Sequence, residues 1–174
     1  MKYIIVLFIT AFSLNVQAQS DAIEKYFQQY IDNEDFTVVY VSPKMFSLIS
    51  KLDLNEVDND PEAKIVMETI KDIKGLRVLK TDINSLARYK EAMNTINTKE
   101  YEVLVTVRDK DQNVNIWVKE DADKISELLL LVGAVDEFVM LSFVGNIDLD
   151  KISKLANNID ISGAEHLEKV GSGN

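Results

Sequence analysis

The chain has 174 residues, 47% of them hydrophobic, with 19 basic against 29 acidic side chains, a formal net charge of −10, one histidine and no cysteine. That length suits one domain with a core of its own, and the negative field repels nucleic acid and anionic headgroups. The lack of cysteine excludes disulfides, thiolate nucleophiles, zinc–cysteine sites and lipid attachment through an N-terminal cysteine.

Lys2, the apolar run over residues 3–14 and Val16-Gln17-Ala18 supply the short positive region, apolar core and small-residue cleavage pattern of a secretory signal. Cleavage is expected after Ala18. The apolar run, about 12 residues, is shorter than the roughly 20 that a transmembrane helix needs. The expectation is therefore a signal over 1–18, a single domain over 19–161 and a polar, frayed tail over 162–174, which ends in Gly171-Ser172-Gly173-Asn174. The mature protein is expected to be soluble in the periplasm or outside the cell. Its partner would be an unidentified protein or small ligand of the envelope, and the sequence leaves the oligomeric state open.

After the signal, Asp21 and Glu24 make a candidate capping pair for a first helix with Ile23, Phe27, Tyr30 and Ile31 on one face. Residues 36–41 are β-branched and aromatic and predict a strand, stopped at Ser42-Pro43, where serine caps a new helix and proline takes its first position. Met45, Phe46, Ile49 and Leu52 give that helix its apolar stripe. The acidic loop with Asp53, Glu56, Asp58 and Asp60 has two readings. Several carboxylates suit calcium, but the loop lacks the glycine and closing glutamate of an EF-hand, and Asp60-Pro61-Glu62 is a regular helix start. The helix so begun carries Val66, Met67, Ile70 and Ile73 and is expected to stop at Gly75. A short strand over 76–81 follows. Asp82 or Asn84 then caps a helix with Leu86, Tyr89, Met93 and Ile96 inward.

The stretch from Tyr101 to Gly145 organises the rest. Apolar residues fall on odd numbers at Tyr101, Val103, Val105 and Val107, and on even numbers at Val114, Ile116 and Val118, which is the signature of half-buried strands. For both sets to share a face, Val107 must oppose Val114, Val105 oppose Ile116 and Val103 oppose Val118, with a turn at Lys110-Asp111. The same register sets Glu102 opposite Lys119, Thr106 opposite Asn115 and Leu104 opposite Trp117 on the other face. That face carries the one candidate partner surface, Leu104 and Trp117. Either a helix covers it or a partner meets it, since aromatic residues are enriched where proteins bind one another. The second pair, 125–132 and 138–144, is apolar on both faces and is expected to be central or covered on both sides. Its loop lies in residues 133–137, with the register open. Asp148 caps a last helix with Leu149, Ile152, Leu155 and Ile159 inward.

Single strands linked through helices, followed by four strands in hairpins, predict an α+β fold. The expectation is two layers, with a mixed sheet of about six strands ending in two antiparallel hairpins and helices largely on one face. No catalytic constellation emerges. The single histidine, His166, lies in the polar tail, which leaves no held imidazole for a triad and no zinc site, and no glycine-rich turn joins a strand to a helix. No cofactor is expected. A carboxylate-based hydrolase stands as the alternative to a non-catalytic binding domain, and a calcium-dependent module as a third reading.

The segments 36–42 (FTVVYVS), 75–79 (GLRVL) and above all 125–148 (ISELLLLVGAVDEFVMLSFVGNID) resemble the exported bacterial family of domain of unknown function 4252. The resemblance covers essentially the whole mature chain and consists of strand patterns and turns, so it implies a fold and supplies no catalytic residue. Many members carry a lipid-attachment cysteine after the signal, where this chain has Ala18-Gln19-Ser20. The family's association with regulatory genes for extracytoplasmic sigma factors implies an envelope-sensing or binding role.

Overall fold

The period-two stretches become six strands, and the computed structural model, which describes residues 22–51, 67 and 70–156, joins all six into one sheet. In chain order the elements are α1 (Ala22–Tyr30), β1 (Thr37–Val41), α2 (Pro43–Ile49), β2 (Ile73–Thr81), α3 (Ser85–Thr95), β3 (Glu102–Arg108), β4 (Gln112–Asp121), β5 (Lys124–Ala134), β6 (Phe138–Ile147) and α4 (Leu149–Ala156). Across the sheet the order is β1-β2-β6-β5-β4-β3. The expected signal over 1–18, the Asp21 cap, the acidic loop over 53–60 and the tail over 162–174 lie outside the described residues.

The α+β class, the six strands and the antiparallel hairpins are as expected. Two details of the architecture are not. Every neighbouring pair is antiparallel, so the sheet is not mixed. The link through α3 does carry the chain between two strands that run the same way. The meander of β3 to β6 then folds back and inserts β6, β5 and β4 between them, so no parallel pair forms. Nor do the helices gather on one face. Leu128, Leu130 and Val132 pack with Phe46 of α2 and Ile152 of α4, while Leu129 and Leu131 pack with Ile23, Tyr26 and Phe27 of α1 and Tyr89 and Ala92 of α3. The reason is visible in β5 itself: a strand apolar on both sides must be covered on both sides, which makes three layers rather than two.

Local chemistry sets the element ends. The Ser42 hydroxyl accepts from the Met45 N–H at 3.3 Å with Pro43 in the first turn, and Asp148 Oδ1 accepts from the N–H groups of Asp150 at 3.0 Å and Lys151 at 3.3 Å. The helix expected to end at Gly75 gives way earlier. The Lys71 N–H donates to the Met67 carbonyl at 3.2 Å, and the chain is extended from Ile73 onward, with Gly75 inside β2 opposite Val144. The buried stripe of α3 is also displaced by one residue at two positions. Ser85, Tyr89, Ala92 and Ile96 face the sheet, while Leu86 and Met93 are exposed. The cause lies beneath Tyr89, where Gly133 leaves no room for a Cβ and small Ser85 and Ala92 let the helix settle over that gap.

The first hairpin keeps the expected register at Val107–Val114, Thr106–Asn115 and Val105–Ile116, with its turn at Lys110-Asp111. Beyond Val105 a bulge intervenes, so that Val103 opposes Trp117 and Glu102 opposes Val118. In the second hairpin Gly133 opposes Phe138, and the Ala134 N–H donates to the Glu137 carbonyl at 2.7 Å across Val135-Asp136.

Candidate functional site

The sheet has two edges, and they differ in kind. In an antiparallel pair each strand directs the N–H and C=O of alternate residues toward its neighbour and the rest away, so an edge strand presents a row of backbone groups to whatever lies beside it. At one edge, β3 is interrupted by the bulge at Val103–Val105 and carries Glu102 and Arg108 at its ends. These are the usual protections of an edge against unwanted pairing. At the other edge, β1 (TVVYV) is short, five residues, but has neither bulge nor charge. It contains no proline, and its register with β2 runs without a shift from Thr37–Lys80 to Val41–Leu76. Among the described residues no strand lies on its outer side, and Val39 and Tyr40 remain 41% and 47% exposed.

The surroundings of β1 are rigid on one side and charged at one end. The Tyr40 ring lies 5.8 Å from that of Phe27 on α1, and beside it on β2 Arg77 reaches back to Glu24 at 2.5 Å. Phe36, just before β1, packs edge-on to Phe138 and stacks at 4.6 Å on Tyr30. At the N-terminal end of β1, where β2 ends and β5 turns into β6, an open depression is bordered by Glu34, Asp35, Asp82 and Asp136 and by the ion pair Lys80–Glu137. The acids are spread along its rim. Among the described residues no group of three or more histidine, cysteine, aspartate or glutamate side chains is placed to hold a metal ion.

Several polar side chains on the α1–α3 side are tied into networks that dock the helices. Tyr30 donates to Glu91, and Arg88 donates to both Tyr30 at 3.1 Å and Glu91 at 3.2 Å. Burial, and then the hydrogen bond to the Glu91 carboxylate, raise the pKa of the Tyr30 phenol; burial, with Tyr30 and Glu91 nearby, raises that of Tyr26, and burial raises that of Tyr89. Asn115 donates to the Tyr89 oxygen and accepts from Thr106 at 3.0 Å. Glu127, only 6% exposed, accepts from Tyr101 at 2.6 Å and from Ser142 at 3.0 Å. Each of these acids and phenols is bonded to a neighbour that holds a helix or strand in place.

Leu104 and Trp117, the pair singled out from the sequence, do not share a surface. Trp117 is 5% exposed and packs in the α1–α3 core. The bulge turns Leu104 to the opposite face, against the cluster of Val114 and Ile116, and leaves Val103 in its place, 59% exposed. Periodicity alone carries no sign of that bulge. What sequence reasoning missed is the edge position of β1, because strand order is not a local property. Glu127 had a signal: it shares the parity of Leu129 and Leu131 in a strand apolar on both faces, where an acid is held by donors.

Fold and site together define an α+β domain with a doubly covered antiparallel sheet in which, among the described residues, no strand lies outside β1. Residues 26–155 match the family described as Domain of unknown function (DUF4252), and the chain belongs to that family. Neither a curated protein nor a solved structure matches it.

Proposed function

We propose that this chain is an exported, non-catalytic binding domain of the cell envelope that takes a partner protein onto the outer edge of β1. The observation that carries the reading is the contrast between the two edges: β3 is bulged and charged, while β1 is regular, uncharged and open. An edge left in that state templates the addition of a further strand, which is how many recognition domains hold extended segments. Export is supported by the pattern of residues 2–18 and by the resemblance to an exported family, and among the described residues no helix is long and apolar enough to cross a membrane. The family's genetic association makes envelope sensing the process such binding would serve.

A photo-crosslinking amino acid placed at Val39, and separately at Thr106 on the guarded edge, tests the reading in cells that export the protein. Discrete protein adducts from position 39 and none from 106 are expected. Adducts of equal yield from both positions, or from neither, would overturn it.

A further inference from the structure

The N-terminal end of β1 is not neutral ground. Glu34 and Asp35 immediately precede the strand, Asp82 follows β2, and Asp136 sits in the β5–β6 turn, all four exposed. Among the described residues one lysine lines this depression, Lys80, opposite Thr37, and it pairs with Glu137. Any chain lying along β1 therefore meets, at its end beside Thr37, a rim on which carboxylates outnumber cations among the described residues. Dispersed carboxylates at a water-exposed rim favour mobile, extended cations over a compact ion, in keeping with the lack of a metal-holding group among the described residues. The whole chain's net charge of −10 steers the same class of partner.

We infer that the occupant of the β1 edge is an extended segment added antiparallel to β1, with Lys or Arg residues at its carboxyl end lying over the rim of Glu34, Asp35, Asp82 and Asp136. The inference rests on the strand-addition reading above and adds to it the charge and direction of the partner. Antiparallel addition continues the pairing found throughout the sheet and brings the segment's carboxyl end to Thr37, where β1 begins. About five residues of the segment would pair, with alternate side chains falling beside Val39 and Tyr40. The backbone bonds hold the segment, and the rim decides which segments are held.

The test uses the mature chain and four fluorescein-labelled peptides read by anisotropy at low and at high salt. The first alternates threonine and valine and ends in two lysines; the second ends in two glutamates; the third and fourth are the lysine peptide N-methylated at alternate residues, in each of the two phases, which removes the N–H groups of one edge at a time. The lysine peptide is expected to bind, to lose affinity in salt, and to weaken roughly three- to thirtyfold in a Glu34→Gln, Asp35→Asn, Asp136→Asn variant. One N-methylated phase should abolish binding, and the glutamate peptide should bind more weakly than the lysine peptide by a similar factor. Equal binding of the lysine and glutamate peptides, with one methylated phase still inactive, overturns the basic partner and leaves strand addition standing. Undiminished binding of both methylated peptides, or no binding by any of the four, overturns both. A mature chain that sediments as a dimer which the lysine peptide does not dissociate gives the edge to a second copy, and overturns the inference as well.

Discussion

At the residue scale, Trp117 reports most directly on how the sheet is covered. It is 5% exposed between β5 and the bulged end of β3, within the core that α1 and α3 close. Its emission is therefore expected to be blue-shifted and poorly quenched by iodide, and Trp117→Ala should cost about 3–5 kcal/mol in chemical denaturation. A red-shifted, readily quenched emission would contradict the packing described. Gly133 makes a second point. A Cβ there would run into the Cβ and ring of Tyr89, so Gly133→Ala should destabilise by about 1–3 kcal/mol although it adds a single methyl group. The same change at Gly75, where the nearest atom is Val144 Cβ at 3.8 Å, should cost less in the same denaturation series.

At the scale of elements, the turn between β4 and β5 departs from what its residues prefer. Ala122 and Asp123 both have positive φ, 49° and 63°, as a two-residue turn matched to the twist of the strands requires. Aspartate accepts that conformation, whereas alanine has no side-chain group to compensate the steric cost. Ala122→Gly is expected to raise stability by about 0.5–1 kcal/mol, and a thermal melt that fails to rise would contradict the turn geometry. The same hairpin contains Lys119, which the sequence register set opposite Glu102. The bulge moves Glu102 away, and Lys119 instead pairs with Glu100 at 2.5 Å while stacking over the Tyr101 ring. One extra residue in an edge strand thus redirects an ion pair, exposes Val103 and half-buries Leu104.

At the scale of the whole molecule, the aromatic layer under α1 and α3 links stability to alkaline pH. Tyr26, Tyr30 and Tyr89 have folded-state pKa values raised, chiefly by burial, above the ordinary phenol value of about 10. The stability contributed by keeping them neutral is full below the unfolded value and is lost as pH rises through the folded ones. The melting temperature is therefore expected to fall above about pH 10, with the 295 nm tyrosinate absorbance of these three appearing together with unfolding. Tyr26→Phe should make that alkaline fall shallower. Ionisation of Tyr26, Tyr30 and Tyr89 near pH 10 with the fold intact would contradict the burial that separates these three.

The sequence by itself determined what depends on neighbours along the chain. Alternation in Val103, Val105 and Val107 against Val114, Ile116 and Val118 was enough to place the first hairpin and most of its register, because slipping by one residue would turn a whole apolar set outward. Ser42-Pro43 and Asp148 marked helix starts through their own hydrogen-bonding chemistry. The two-sided apolar run of β5 already marked a strand that is central or covered on both faces, and the structure makes it both. Only the tertiary structure decided which strands lie at the edges, that β6 inserts between β2 and β5, and that α3 turns Ala92 inward instead of Met93. Those outcomes are settled by contacts between segments far apart in sequence, Tyr89 on Gly133 or β2 on β6, and no local period encodes them. The candidate site belongs wholly to this second class: residues 37–41 read as an ordinary strand, and what makes them an edge is the absence, among the described residues, of a strand on their outer side.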